Sequence, residues 1–478
     1  MSKRTACAGA LHLGILDQVP KPYRPRPTVL SAFTGLGGLD LGLEKAGFRT
    51  IACIEIDKYA RASIEANRPK RKLLPTGDIS EVAETLSPRD LGIRLRQLGV
   101  LAGGPPCQPF SKAAEWSENG RAGLADPRSR FLVAFLRLAE RFLPRLILIE
   151  NVPGFARGRT SAISFIQAAL DRINRLHRTR YRLEWRILNA AKYGIPQRRE
   201  RAILIARRDG GPIAWPTPSH ATRPVRAYDA LCKLKCEDPP AAKGYWSGLL
   251  PSIPEGANYL YHTRRGGGVE LFGERRRYWS FLLKLAQDQP AWTIPAHPGP
   301  ATGPFHWDNR PLTVKELLRL QSFPVSWKVR GNRLVQVKQV GNATPPLLAE
   351  VIGRALGTSV FGMKYDGAPH LRIPRQRRNP IPRRRKPVPA RYLKHRGRHP
   401  AHPGEGAGPG ALHRERMKVA NQKARHQVRA GSEPSELSSA APFARRKRGE
   451  KRQHVLRRAR GRRAGPTLKR GKLSTRVA

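Results

Sequence analysis

The chain has 478 residues and carries 90 Lys and Arg against 35 Asp and Glu, a formal net charge of +55. This length allows two or three domains, and so large a positive charge predicts an acidic partner, for which nucleic acid is the natural candidate. Five irregularly spaced cysteines exclude a disulfide framework, and the lack of any run of about 18 apolar residues excludes a membrane span.

A regular pattern begins at Thr28, after a Pro- and Arg-rich arm at residues 1–27. TVLSAF, TIACIEI, LGVLAGG and RLILIEN have the composition of buried strands, and segments between them, such as GLDLGLEKAGF and RSRFLVAFLRLAERF, have helical spacing. Strands that alternate with helices predict an α/β fold with a mostly parallel sheet covered on both faces. YRLEWRILNA and RAILIAR are separated by only about ten residues, which predicts antiparallel neighbours.

The chain changes character twice after these strands. Residues 209–309 are rich in Pro, Gly, Trp and Arg with weak periodicity, which predicts a smaller, irregular domain. Regular structure returns over 310–360, where Thr313 and Glu316 fit a capping box. The basic, Pro-rich residues 361–478 predict a disordered tail, either solvated without a specific role or an electrostatic arm for nucleic acid.

A glycine turn follows the first strand, in AFTGLGGLDLGLEKAGF. Open α/β sheets bind cofactors at such turns. Gly35 and Gly37 are present, but Asp40 stands where a dinucleotide fingerprint has glycine. Glu55 ends the next strand, about 20 residues on, where a carboxylate suits ribose hydroxyls. Asp78 in TGDI, which we expect after a third strand, suits an adenine amino group, so the three together indicate a nucleoside site.

The stretch GGPPCQPFS places Cys107 between prolines, directly after a predicted strand. A thiol in a rigid loop is a candidate nucleophile, and the alternative is an inert core cysteine. Glu150 ends the next clear strand, so both residues are expected at one edge of a parallel sheet. Arg199 and Arg201 alternate along QRRERAILIA and suit an anionic backbone or a base carbonyl; the alternative is a solvated edge.

These motifs resemble, in order, those of the DNA (cytosine-5)-methyltransferase family over nearly all of residues 28–357. AFTGLGGLDLGLEKAGF resembles its glycine-rich cofactor motif, GGPPCQPFS its catalytic Pro-Cys motif, IENV its Glu-Asn-Val motif and YGIPQRRERAILIA its Gln-Arg-x-Arg motif. RPLTVKELLRLQSFP and VGNATPP resemble its last two motifs. The resemblance implies a Rossmann-like, S-adenosylmethionine-dependent methyltransferase fold of the prokaryotic type.

The resemblance also implies roles for individual residues. Cys107 attacks C6 of a flipped-out cytosine, Glu150 contacts N3 and the exocyclic amine, and Arg201 binds the cytosine carbonyl, with Arg199 in support. S-adenosylmethionine donates a methyl group to C5. The implied cofactor-side positions are Phe33, Gly35, Gly37, Glu55, Asp78, Pro105 and Asn342. The implied DNA-side positions are Gln108, Ser111 and Thr293, the last of these in PAWTIPA.

The same resemblance organises the chain. Residues 28–208 are the expected catalytic and cofactor-binding domain, 209–309 the target-recognition domain, and 310–360 the return to the catalytic domain. Arg264, Arg265 and the ERRR run at 274–277 either contact phosphate or are simply solvated. The C-x3-C pair of Cys232 and Cys236 has no second pair in register, so no metal is expected.

The expected partner is double-stranded DNA, with a cognate restriction endonuclease compatible with a modification methylase. We expect a monomer without a membrane partner, in the cytoplasm of a bacterial or phage-infected cell. One alternative is methylation of RNA, which the recognition segment of roughly 100 residues disfavours because reading base edges needs extra surface. A non-catalytic nucleic-acid-binding protein is disfavoured by the complete Cys/Glu/Arg set, and a nicotinamide oxidoreductase by the missing third glycine.

Overall fold

The structure, a computed structural model, describes residues 25–106, 130–158, 161–236, 238–273, 278–297, 299–371, 373–376 and 379–396. Eight strands lie in these ranges: β1 (Thr28–Ala32), β2 (Arg49–Ile54), β3 (Val100–Gly103), β4 (Leu146–Asn151), β5 (Arg182–Asn189), β6 (Gln197–Arg198), β7 (Glu200–Arg207) and β8 (Ala291–Trp292).

A six-stranded sheet in the order β2-β1-β3-β4-β7-β5 forms the centre of this part of the chain. Strands β1 to β4 are parallel, whereas β7 runs antiparallel to both β4 and β5. The parallel half and the antiparallel β5–β7 pair are both as the sequence predicts. The short strands β6 and β8 pair separately with each other.

The helices of the described ranges surround this sheet and continue beyond it. They are α1 (Gly38–Lys45), α2 (Lys58–Asn67), α3 (Ile79–Thr85), α4 (Arg130–Phe142), α5 (Pro153–Ala156), α6 (Ile163–His177), α7 (Ala227–Leu231), α8 (Val314–Leu320), α9 (Arg333–Asn342), α10 (Pro346–Phe361) and α11 (Ala390–Leu393). The Thr313–Glu316 capping box starts α8 as expected. None of these helices combines the length and apolar character that a membrane crossing requires.

Helices cover both faces of the sheet because successive strand residues point to opposite sides. Leu101 of β3 packs into an apolar cluster with α3, α4 and α6. Its neighbours Val100 and Ala102 pack into a second cluster with α1 and α10. Burial on both faces explains why these strands are continuous apolar runs rather than alternating ones.

The segment predicted as an irregular domain has an apolar cluster of its own. It includes Leu250, Tyr259, Phe272, Phe281 and Phe305, from turns and short 3-10 helices rather than long regular elements. This explains the weak periodicity of residues 209–309, since a core built from turns imposes no regular repeat on the sequence.

The prediction that disorder begins at residue 361 is wrong for part of the tail. Residues 379–396 pack against the irregular segment, and Tyr392 of α11 is fully buried in its apolar cluster. Composition misled here because most side chains of this stretch are exposed and many are basic, while one aromatic ring anchors the stretch. Residues 397–478 lie outside the described ranges.

A strand immediately before Asp78 is also absent from the described structure. Only an isolated bridge between Leu73 and Cys53 precedes it. Asp78 is instead the N-cap of α3, and its Oδ1 accepts a hydrogen bond from Ser80 N at 2.8 Å. Capping chemistry therefore accounts for Asp78 locally without a strand.

Close packing of α1 on α10 requires glycine at position 42. A methyl group there would lie 2.3 Å from Pro346 O, 2.4 Å from Ala349 Cβ and 2.6 Å from Glu350 N. Because two of these atoms are backbone, they cannot rotate away, and the helices would have to separate.

We therefore expect Gly42→Ala to lower the free energy of unfolding by about 3 kcal/mol, the upper end for overpacking. Gly299→Ala is the matched control, because its new methyl group would meet only Thr302 Oγ1, at 3.2 Å; it should change stability by less than about 0.5 kcal/mol. Urea unfolding followed by tryptophan fluorescence measures both, and equal effects would contradict the packing argument.

Candidate active site

One edge of the sheet collects most of the predicted site residues within the described ranges. Strands β1 to β4 are parallel, so their carboxyl ends share this edge. Phe33 follows β1, Glu55 follows β2, Gly104 and Pro105 follow β3, and Glu150 lies near the end of β4. Because β7 is antiparallel, its first residues, including Arg201, come to the same edge.

The glycine turn after β1 adopts left-handed backbone conformations. Gly35 and Gly37 have φ values of 55° and 81°, which glycine accepts without steric cost. Phe33 also has a positive φ of 55°, unusual for a large side chain. Its ring is held against those of Phe135 and Phe131, with centroids 6.4 and 6.5 Å apart. The turn is therefore fixed by packing as well as by glycine.

Glu55 closes the turn from the neighbouring strand. Its carboxylate is 8% exposed and accepts hydrogen bonds from Gly35 N at 2.6 Å and Asp57 N at 2.8 Å. Burial raises the pKa of this carboxyl, partly offset by the two backbone hydrogen bonds. Each oxygen keeps a second lone pair, which leaves capacity to accept a ligand hydroxyl.

Asp40 supports the same turn, a role that the sequence does not reveal. It is 3% exposed, accepts a hydrogen bond from Ser31 Oγ at 2.9 Å and lies 3.5 Å from Arg71 Nη1. Burial raises the pKa of its carboxyl despite the neighbouring guanidinium. The only sign of this role in the sequence is that Asp40 stands where a dinucleotide-binding fingerprint has glycine. The structure explains it as an anchor between α1 and β1.

The loop that leads to Cys107 is tied to the end of β4. Asn151 Nδ2 donates a hydrogen bond to Pro105 O at 3.0 Å. Gly104 lies so close that a methyl group there would be 3.2 Å from Glu150 O and 3.4 Å from Glu150 Oε2. The chain therefore leaves β3 directly beside the Glu150 carboxylate. Cys107, Gln108 and Ser111 themselves lie outside the described residues.

Glu150 and Arg201 form a buried ion pair. Glu150 is 7% exposed, and its Oε1 lies 3.0 Å from Arg201 Nε. The contact is an ion pair rather than an aligned hydrogen bond, since Oε1 accepts no hydrogen bond from the described residues. A buried carboxylate beside a guanidinium, each with hydrogen-bonding capacity left, can bind a planar polar ligand.

Arg199 does not join this pair, although the alternation in the sequence suggested a common face. Its side chain is 1% exposed, and Nη2 donates to Gly341 O at 2.9 Å and Ala343 O at 3.0 Å. These carbonyls flank Asn342, the exposed last residue of α9. Arg199 is therefore a positioning residue for the backbone of the VGNATPP motif rather than a catalytic residue.

Two buried glutamines, which the sequence analysis missed, connect the last motifs to residues 209–309. Gln197 and Gln321 are both fully buried, and Gln197 Nε2 donates to Gln321 Oε1 at 3.0 Å. Gln197 Oε1 accepts from Ile294 N at 3.1 Å, and Gln321 Nε2 donates to Val340 O at 2.7 Å. Both glutamines stand inside quoted motifs, but only tertiary contacts show that they pair.

Thr293 lies at this junction. Its side chain is exposed, and Oγ1 donates a hydrogen bond to Arg198 O at 2.7 Å. The adjacent strand β8 pairs with β6 in register Gln197↔Ala291 and Arg198↔Trp292. The end of the 209–309 segment is thus joined to strand β6, which leads to Arg199 and Arg201.

The remaining predicted residues are two candidate phosphate-binding arginines and a pair of cysteines. Arg264 and Arg265 are exposed, and residues 274–277 lie outside the described ranges. Cys232 is exposed, and Cys236 Sγ lies 3.3 Å from Thr313 Oγ1. Among the described residues no group of three or more His, Cys, Asp or Glu could hold a metal ion.

Comparison with known proteins gives consistent matches. Residues 28–358 match the family model for C-5 cytosine-specific DNA methylase. The Type II methyltransferase M.SacI of Streptomyces achromogenes is 33% identical over 368 residues, covering 69% of this chain and 92% of the relative. Type II methyltransferase M1.HphI of Haemophilus parahaemolyticus is 32% identical over 347 residues, covering 69% and 86%. The solved S. pombe Dnmt2 methyltransferase is 20% identical with a TM-score of 0.46, covering 70% and 100%.

Adjacent arginines allow a matched test of the positioning role of Arg199. Arg199→Lys should lower the free energy of unfolding by about 2 kcal/mol, because the shorter-headed lysine would leave part of the buried guanidinium volume empty and would not place a nitrogen where Nη2 donates to both carbonyls. Arg198→Lys, at a partly exposed side chain, should change it by less than about 0.5 kcal/mol. Chemical denaturation of both variants measures the difference, and an unchanged Arg199→Lys protein would refute the role.

Proposed function

Because this chain belongs to the C-5 cytosine-specific DNA methylase family and is therefore a DNA (cytosine-5)-methyltransferase, we propose how it acts. It transfers a methyl group from S-adenosylmethionine to C5 of a cytosine flipped out of a specific duplex sequence, through a covalent bond between Cys107 Sγ and C6. Flipping is required because attack at C6 and methylation at C5 both need ring faces that are stacked in the duplex.

The observation that carries this proposal is the junction of three strands beside Glu150. The loop entering Cys107 is held to β4 by the Asn151–Pro105 hydrogen bond, and Arg201 lies 3.0 Å from Glu150 on the other side. This arrangement supports a site where a thiolate, a carboxyl group and a guanidinium approach one planar ring. The Arg201–Glu150 pair then opens to bind the base.

The proposed roles follow from the groups present. The Cys107 thiolate adds to C6, which moves electrons to C5 while Glu150 binds N3 and the exocyclic amine and Arg201 binds the carbonyl oxygen. C5 would then form a bond to the methyl group while the bond between that group and the donor's sulfonium sulfur breaks, and the neutral thioether product would leave. A base removes the C5 proton, the ring electrons return, and the C6–S bond breaks to release the thiolate.

The residues around the glycine turn fit the nucleoside part of the methyl donor. The left-handed turn at Gly35 and Gly37 lets backbone approach closely, and Glu55 offers a buried carboxylate for ribose hydroxyls. S-adenosylmethionine supplies an electrophilic methyl group when bound. Phe33, Asp78, Pro105 and Asn342 are proposed as further contacts on that side.

The proposed substrate is double-stranded DNA, with Gln108, Ser111 and Thr293 among the contacts. The relatives are named Type II methyltransferases, so we propose a modification enzyme of a restriction–modification system, whether paired with a nuclease or acting alone. We propose further that it acts as a monomer in the cytoplasm, and that residues 209–309 recognise the target sequence.

Transfer of labelled methyl groups tests the chemistry. Wild-type protein should label duplex DNA but not transfer RNA, and Cys107→Ala should abolish labelling because the chain has no other cysteine in the segment that joins β3 to α4. Glu150→Gln should slow transfer about 100- to 10,000-fold, as loss of proton-transfer groups does. Cys232→Ala, at an exposed thiol, is the matched control and should retain full activity.

Label that enters RNA instead would move the function to an RNA methyltransferase. Full activity of Cys107→Ala would refute the covalent step, and bisulfite sequencing of labelled DNA would identify the target sequence.

A separate prediction concerns Glu55 and the methyl donor. Glu55→Gln should weaken S-adenosylmethionine binding about tenfold, because the amide NH2 group would oppose one of two backbone N–H donors and lose the charge–hydroxyl contact. Burial raises the pKa of Glu55 above its usual 4.5, so wild-type affinity should fall with decreasing pH before ordinary carboxylates protonate. The variant should lack this dependence.

Isothermal titration calorimetry, from neutral pH down through the raised pKa of Glu55, measures the affinity for S-adenosylmethionine. Glu65→Gln, at an exposed position of α2, is the matched control and should bind as wild type does at every pH. An unchanged affinity in Glu55→Gln would remove Glu55 from the cofactor site.

A further inference from the structure

Residues 379–396, called here the C-terminal strap, are built into the recognition segment although they lie beyond the family match at 28–358. Tyr392 is fully buried, and its hydroxyl donates to Tyr245 O at 2.7 Å. Its ring stacks on Trp246 with centroids 5.8 Å apart and an interplanar angle of 14°. This anchor fixes the C-terminal end of the strap.

A second anchor fixes the other end. Arg383 Nε and Nη2 each lie 3.1 Å from Asp308 Oδ1, and Arg383 N donates to Glu255 Oε1 at 2.8 Å. Lys386 N donates to Pro251 O at 3.0 Å. The backbone between Arg383 and Lys386 is therefore held in place on the recognition segment, which limits the entropy lost when its side chains bind a ligand.

Three consecutive cationic side chains project from the held stretch. Arg384, Arg385 and Lys386 line a surface cavity of about 670 Å³, together with Tyr261, His262 and Gly268. Arg385 donates to the Tyr261 hydroxyl and lies over its ring at 5.3 Å. The side chains of Arg384 and Lys386 are exposed and form no hydrogen bond or ion pair with the described residues.

Among the residues that the structure describes, no carboxylate lines this cavity. Three cations without a counter-charge in the cavity favour an anionic ligand. Arg264 and Arg265, which are exposed a few residues after Tyr261, extend the positive surface beyond the cavity. Positive charge spread over two segments suits a repeating polyanion better than a single small anion.

We propose that the strap is an added part of the recognition domain and that Arg384 and Lys386 contact phosphates of duplex DNA. The inference rests on the proposed function, which supplies DNA as the partner. Backbone contacts of this kind fix the orientation of a protein on the duplex without reading its sequence. The strap would thus steady the recognition segment while other residues select the target.

The test is the double variant Arg384→Gln/Lys386→Gln in the full chain. The matched control, Arg89→Gln/Arg94→Gln, removes the same charge from two exposed arginines in the α3–β3 connection. That connection lies towards the amino end of β3, the sheet edge opposite the site. The side chains of both pairs make no hydrogen bond or ion pair with residues in the described part of the chain, so circular dichroism and melting temperature should match those of the wild type.

DNA affinity is measured by fluorescence anisotropy with a target duplex at several salt concentrations. The slope of log K against log salt concentration is negative, and each lost phosphate contact reduces its magnitude by about 0.9. The slope of the strap variant should therefore be smaller in magnitude by about 2. The ratio of the control's DNA affinity to that of the strap variant should fall about tenfold between 50 and 200 mM salt. Target and non-target duplexes should be affected alike.

Acetylation footprinting gives a local readout that the basic residues 397–478 cannot mask. DNA should protect Lys386 from an amine-reactive ester, whereas Lys72, beside the control arginines, should stay equally reactive. Equal slopes for both variants, or an unprotected Lys386, would overturn the inference. A wild-type protein that neither binds nor methylates DNA would instead refute the proposed function, so the two failures are distinguishable.

Discussion

The antiparallel pairing of β7 with β4 is the constraint on which the site depends. A buried carboxylate such as Glu150 is costly unless a cation lies beside it. Strands β1 to β4 end at this edge, and the cation beside Glu150 comes from β7, which begins there. The register Glu150↔Ile203 and Asn151↔Ala202 brings Arg201 to 3.0 Å from Glu150. A parallel β7 would place that arginine about 20 Å away, at the opposite edge.

Backbone groups stabilise the other buried carboxylate of this edge, Glu55 beside the glycine turn. Glu55 is buried, yet two backbone N–H groups stabilise its carboxylate, so it remains available for a ligand hydroxyl. Those donors are correctly placed because Gly35 takes a left-handed conformation and Asp40 holds the following helix to β1. A local sequence feature, glycine, therefore sets the geometry, while a buried polar anchor keeps it rigid.

Residues 209–309 are held to the sheet edge that carries Glu150 by contacts between parts of the chain that are distant in sequence. Gln197 and Gln321 join strand β6, the end of the 209–309 segment and the last turn of α9. Arg199 donates hydrogen bonds to the carbonyl groups of the residues on either side of Asn342 and so holds that backbone in place. Buried polar networks of this kind are stabilising only when complete, which favours one relative placement of the joined segments.

The sequence by itself determined the α/β class, the antiparallel β5–β7 pair and the family, because alternating apolar runs and ordered motifs are local properties of a chain. It could not determine that Arg199 and Arg201 contact different parts of the structure, or that Asp78 caps a helix without a preceding strand. Nor could it determine that Tyr392, from a basic tail, completes the apolar cluster of the irregular segment. Those outcomes depend on which side chains meet in space. Hydrogen-bond geometry and burial, which arise only when distant segments pack together, decided them.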